Sequence, residues 1–197
     1  MNYGAFLSYV FLSSVTPGPN NITSMSNAMK YGLPKGLRFN FGVLFGIFIL
    51  VSICAAFAAL LHSIIPQIEP YMLCLGSAYI LYLAWTIYKD DPTKPKKKRT
   101  FETNSIPAGM MLQFVNVKAI MYGITGISTF VLPYYPSFLS LLPFAGFMAL
   151  FAFLCTCLWA LFGTVFEKFF TSHQKLLNTI MALLLVYCAV SQLLELF

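Results

Sequence analysis

The sequence predicts an all-α polytopic membrane protein: six transmembrane helices arranged as two inverted three-helix repeats, with helices one and four interrupted mid-span. Three observations carry that prediction. Of 197 residues, 59% are hydrophobic and only 9% charged, against about 25% charged in an ordinary soluble domain. Most of the surface therefore has to face lipid. The stretches 1–29, 39–61, 70–88, 119–166 and 176–194 contain no Asp, Glu, Lys or Arg. About 20 residues cross a hydrocarbon core of roughly 30 Å, so each stretch is long enough to span and 119–166 holds more than one span. These runs are apolar all round, which excludes a transmembrane barrel with its alternating strands and leaves helices that satisfy their own backbone.

Division at Pro, Gly and charge clusters gives six segments, about 3–29, 38–61, 70–88, 106–132, 138–165 and 175–196. The first lacks a basic n-region in Met1-Asn2-Tyr3-Gly4, and its apolar run is too long for a signal h-region, so it reads as a retained span. The second carries Gly42 and Gly46, a small-xxx-small pattern that suits close helix packing within one chain ahead of a dimer interface. A homodimer stays open. The third ends at a basic loop, 89–105, which divides repeat 1 (about 1–88) from repeat 2 (about 106–197) within a single transmembrane domain.

The five cysteines, Cys54, Cys74, Cys155, Cys157 and Cys188, all lie in apolar runs, where a free thiol acts as a small hydrophobe. Cys155 and Cys157 point about 200° apart on a helix, unsuited to a disulfide or a metal. His62 and His173 fall at span ends. Neither a metal nor a cofactor is expected. No nucleotide loop, HExxH, GxSxG or paired carboxylate occurs, so enzyme chemistry lacks its usual parts.

Sidedness follows from the positive charges. Eleven of the twelve Lys and Arg sit in odd-numbered connections: Lys30, Lys35 and Arg38; Lys89, Lys94, Lys96, Lys97, Lys98 and Arg99; Lys168 and Lys175. The termini and the connections 62–69 and 133–137 carry none, which puts both termini outside. The run Lys94–Arg99 then serves as a topogenic signal whose partners are anionic lipid headgroups. Nucleic acid is not a partner, because no aromatic residue is interleaved to stack bases.

Segments one and four are the functional candidates. Each is about 27 residues long and interrupted near its middle, by Thr16-Pro17-Gly18-Pro19-Asn20-Asn21 and by Gln113-Phe114-Val115-Asn116-Val117-Lys118. Two prolines around a glycine cannot continue a helix. Pro19 suits the first position of a new half-helix, which leaves the N–H groups of Asn20, Asn21 and Ile22 unpaired as an anion site. Upstream carbonyls near Ser14 and Val15 lose their partners and suit an ammonium group. A packing kink is the bland alternative; two asparagines after the break favour a ligand or ion site.

Lys118 is the twelfth positive charge and the one placed well inside a span, where it costs at least about 2.5–3.5 kcal/mol unless a cavity or partner relieves it. Snorkelling would need it nearer an interface. Every Asp and Glu falls at a segment end or in a loop, so a substrate carboxylate or water is the expected partner. Gln113 and Asn116 share its face only if the helix unwinds locally. Asn20 and Lys118 are 98 residues apart, almost half the chain. Three spans per half invert the second half relative to the first, as in secondary transporters.

The six-span length, Thr16-Pro17-Gly18-Pro19-Asn20, Asn116-x-Lys118 and the basic central loop resemble the lysine-exporter (LysE/RhtB) family over the whole chain. Leu112–Lys118, Ser128–Pro133 and Leu183–Val190 are similar to its cysteine/O-acetylserine-exporting branch. Val117 stands where many members have proline, which agrees with that branch and departs from the lysine and homoserine exporters. The resemblance implies proton-driven efflux of small amino acids, foremost cysteine and O-acetylserine, across a bacterial inner membrane. Export of homoserine, threonine or other neutral amino acids is the alternative. On this reading Thr16, Pro17, Gly18, Pro19, Asn20, Asn21, Gln113, Asn116 and Lys118 bind substrate, and Lys118 is also the candidate proton carrier, since a lysine moved between water and an apolar interior can take up and release a proton. A membrane thiol-electron carrier, the rival from another class, needs a cysteine at each break, and neither break has one.

Overall fold

A computed structural model describes residues 1–57, 71, 74, 77–89, 103–169 and 174–194. The connection 62–69, the basic run Lys94–Arg99, and Glu69, Asp90, Asp91, Glu102 and Glu195 lie outside them. Among the described residues all regular structure is helical: α1 (Tyr3–Val15), α2 (Pro19–Tyr31), α3 (Leu33–Ala56), α4 (77–88), α5 (Ile106–Val115), α6 (Val117–Thr125), a π-helical turn (Gly126–Val131), α7 (Phe138–Phe169) and α8 (Gln174–Leu194).

Local chemistry explains most boundaries. Asn2 caps α1 by accepting the Ala5 N–H at 3.1 Å, and Ser105 caps α5 by accepting the Ala108 N–H at 3.2 Å. The α2–α3 turn rests on Gly32, whose φ of +80° belongs to glycine, with Pro34 two residues on in the first turn of α3. The second helix therefore starts at Leu33, five residues before the sequence expectation, and carries Lys35 and Arg38 in its first turns. Their charges do not stop the helix.

Among the described residues two helices are long and apolar enough to cross a membrane, Leu33–Ala56 and Phe138–Val165. The bent pair Ile106–Val115 and Val117–Val131, at 71° to each other, passes the same test when its two helices are taken as one. The shorter Tyr3–Val15 and Asn178–Val190 are apolar as well. Phe39, Val43, Leu112, Ile127, Met148 and Leu185 fill the core, while Phe45, Phe48, Trp85, Leu158, Leu183 and Tyr187 stand exposed on the outside. An apolar exterior of that extent is what a lipid-facing helix bundle presents.

The site depends on two close helix contacts. A Cβ on Gly42 would meet the carbonyl oxygen of Ile106 and lie 2.9 Å from the Gly109 Cα, so α3 and α5 touch backbone to backbone. The Gly42/Gly46 pattern thus packs α3 inside its own chain. Helix α7 lies against α1, α2 and α3 and closes the bundle around the α1–α2 break.

Candidate functional site

Both interruptions are breaks in the backbone. α1 ends at Val15 and α2 begins at Pro19, with Gly18 fully extended between them (φ −169°, ψ 175°). Pro19 takes the first helical position, where its missing N–H costs nothing. In the second half α5 stops at Val115 and α6 restarts at Val117, with Asn116 extended (φ −89°, ψ 99°). No proline forces that break. It is the local unwinding that Asn116 and Lys118 need in order to face the same space.

The two breaks meet. Lys118 Nζ donates to Thr16 O at 3.0 Å, to Thr16 Oγ1 at 2.8 Å and to Pro17 O at 3.4 Å. A Cβ on Gly18 would lie 3.0 Å from that Nζ and 3.2 Å from Lys118 Cδ, so the glycine makes room for the lysine stem. The lysine, expected to lack a protein partner, is held by uncharged oxygens of the opposite half. Around it is a partly open cleft with a cavity volume of about 40 Å³. Gly18, Pro19, Asn20 and Asn21 from the first break, and Asn116 and Lys118 from the second, line it. Ile47, Ala119, Tyr122 and Ala152 supply its apolar wall, and Ser13, Ser14 and Thr156 the remaining polar surface.

The freed backbone groups are satisfied differently from the sequence expectation. The Ile22 N–H is paired, with Gly18 O at 3.0 Å, because Gly18 already stands at the N-cap. Asn21 Nδ2 reaches back to Ser14 O at 2.8 Å and Thr16 O at 2.9 Å. Trp159 Nε1 takes Val15 O at 3.1 Å. The carbonyls read as open to a ligand's ammonium group are thus held by side chains of the chain itself. Asn116 Oδ1 is buried without a hydrogen-bond partner, beside the cleft that Asn116 lines.

Gln113 is fully buried and lies behind the cleft lining. It forms a reciprocal amide pair with Asn20: Asn20 Nδ2 donates to Gln113 Oε1 at 2.8 Å, and Gln113 Nε2 donates to Asn20 Oδ1 at 3.0 Å. Gln113 Nε2 also donates to Gly109 O at 2.8 Å. The pair ties the first break to α5. Asn20→Leu leaves Gln113 Oε1 without its donor, a loss of about 1–3 kcal/mol. Thermal unfolding in detergent is expected to show that drop, with most of it recovered in Asn20→Leu/Gln113→Leu. A double variant no better than the single one counts against the pair.

Sequence reasoning missed Tyr122, Thr156 and Trp159 as cleft or break residues, along with Asn40. Ser24 Oγ lies 2.6 Å from Asn40 Oδ1 and 2.8 Å from Thr156 O, a polar contact in which all three residues are buried. An uncharged amide inside the charge-free run 39–61 was the available signal for Asn40. Trp159 carried none.

Apolar helices packed around a polar cleft, with that cleft built where two helices break, define a membrane translocator. The model of the LysE type translocator family matches residues 11–196, and the chain belongs to that family. It is 39% identical over 191 residues to the cysteine/O-acetylserine efflux protein of Klebsiella pneumoniae subsp. pneumoniae, covering 97% of this chain and 96% of that one. It is 37% identical over 188 residues to the protein of the same name in Escherichia coli K12, covering 94% of each. No solved structure matches the chain.

Proposed function

We propose that this chain is a secondary transporter that exports cysteine and O-acetylserine from the bacterial cytoplasm. In this reading six spans form two inverted three-helix repeats, both termini are periplasmic, and the 89–105 loop is cytoplasmic against anionic headgroups. One observation carries it: the N-terminal ends of α2 and α6 and the Lys118 ammonium converge on one cleft, and no carboxylate lines that cleft among the described residues. Helix N-termini and an ammonium all favour an anion. A small amino acid brings that anion itself. The matching positions of the two breaks, about half a chain apart, support the repeat.

The contacts suggest an exchange. A substrate carboxylate draws Lys118 Nζ away from Thr16 and Pro17, and the oxygens it leaves receive the substrate's own ammonium. A zwitterion satisfies both ends of the displaced contact; a simple anion or cation satisfies one. Ile47, Ala119, Tyr122 and Ala152 then face a short side chain. The two halves rearrange around the occupied site, and Lys118 carries the coupling proton when it parts from the substrate.

The names of the relatives support the substrate pair, while homoserine and threonine fit the same zwitterion geometry. Counterflow in proteoliposomes with labelled cysteine, O-acetylserine, threonine, homoserine and lysine separates these readings. Cysteine and O-acetylserine are expected to exchange fastest. A preference for lysine overturns the assignment.

A further inference from the structure

Helix α2 continues the polar character of the cleft well beyond it. Asn20, Ser24, Asn27 and Lys30 recur at the helical period and occupy one face of α2, with Thr23 and Ser26 beside them. From Asn20 to Lys30 is ten residues, about 15 Å at 1.5 Å per residue, or roughly half of a 30 Å hydrocarbon core. The stripe therefore runs from mid-membrane to the lysine-bearing end that the proposed topology makes cytoplasmic.

A second, smaller cavity lies along that stripe, closed down to about 10 Å³, the room of a single water, and lined by Thr23, Ser26, Asn27, Lys30, Thr86 and Thr103 together with Leu83 and Ile87. It is separate from the central cleft, with which it shares no lining residue. Its polar groups come from α2, α4 and the segment preceding α5. Asn27 and Thr103 bond reciprocally across it: Asn27 Nδ2 donates to Thr103 O and Thr103 Oγ1 donates to Asn27 Oδ1, both at 3.1 Å. Thr23 is 2% exposed, and its Oγ1 is buried with no hydrogen-bond partner. A buried hydroxyl left unpaired costs stability. A packing role alone would be served as well by valine.

We infer that this cavity is a cytoplasm-side relay site for the transported amino acid, which is received among Thr23, Asn27, Thr86 and Thr103 before it reaches Lys118. The inference rests on the transporter reading given above. Among the described residues the lining offers hydroxyls and an amide and no carboxylate, which suits a zwitterion held in passing. Lys30 in the same lining favours entry carboxylate first, the end that Lys118 next receives. The Asn27–Thr103 pair closes the site when it is empty, and the arriving amino acid replaces those two bonds with its own.

The test is sided exchange of labelled cysteine and O-acetylserine in oriented vesicles, with Thr23→Val and Thr86→Val as near-isosteric variants and Thr23→Ser as the control that keeps a hydroxyl. The cytoplasmic-face KM is expected to rise roughly threefold to tenfold in each valine variant, as the loss of one hydrogen bond implies. The periplasmic-face KM stays unchanged, which also reports an intact fold, and Thr23→Ser stays near the unaltered chain. Equal changes on both faces, or none, while the unaltered chain transports normally, overturn the relay site and leave the transporter reading standing. No exchange by the unaltered chain overturns both.

Discussion

Replacing Lys118 with methionine is expected to abolish counterflow of cysteine and O-acetylserine without lowering the thermal stability of the protein in detergent. The first half follows from charge. Breaking a buried ion pair by removing one partner costs about 3–5 kcal/mol, so losing the cation that meets the substrate carboxylate lowers exchange by at least about 100-fold. The second half follows from what the lysine leaves behind. Thr16 O keeps its bond from Asn21 Nδ2 at 2.9 Å, and Thr16 Oγ1 keeps its contact with Ser13 O at 3.3 Å. Only Pro17 O, already a long contact at 3.4 Å, loses its partner. Against that small loss, methionine removes a charge that costs about 2.5–3.5 kcal/mol mid-span. A residue kept for structure would show the opposite pattern, with a lower melting temperature and exchange retained. Normal exchange by Lys118→Met ends its role as the carboxylate partner.

How far the sequence exposed this site depended on the kind of break. Pro17 and Pro19 forbid a continuous helix by covalent structure, so the first break could be read to within a residue or two. The second has no such mark. Val117 stands where a proline would have announced it, and only the polarity of Gln113, Asn116 and Lys118 betrayed it, because no continuous helix turns all three toward one face. Partner choice was harder still. Asn21, Trp159 and Lys118 all take freed oxygens of the first break, but which carbonyl each reaches depends on how α2, α6 and α7 cross it. Spacing along one chain does not encode that. The π-helical turn at Gly126–Val131 escaped for the same reason: Gly126 lies under Met148, a contact between segments remote in sequence.

Gly109→Val is expected to prevent assembly altogether, seen as loss of the monodisperse peak in size-exclusion chromatography. A β-carbon there would fall on the Phe39 carbonyl oxygen and within 2.9 Å of the Gly42 Cα and the Val43 N. Carbon atoms pack best at about 3.5–4.0 Å, and all three obstacles are backbone, with no side-chain rotamer able to give way. α3 and α5 have to move apart. Within a bilayer that is severe, because lipid tails are as apolar as the helices and association rests on close packing itself. Gly46→Ala makes the same argument at smaller scale and extends it to the site. Its β-carbon would lie 2.7 Å from Gln113 Cγ and 2.9 Å from the Met110 Cα, so the stem of a fully buried side chain and the α5 backbone both have to give way. The protein is therefore expected to melt at a lower temperature and exchange to fall as well, the latter roughly by the threefold to tenfold that loss of the Asn20–Gln113 bonding implies. A monodisperse Gly109→Val with an unchanged melting temperature would show that the α3–α5 crossing is looser than the Gly42–Gly109 contact requires. Gly46→Ala with full exchange would uncouple Gln113 from the cleft, because the backbone contact that holds α3 on α5 also fixes where Gln113 meets Asn20.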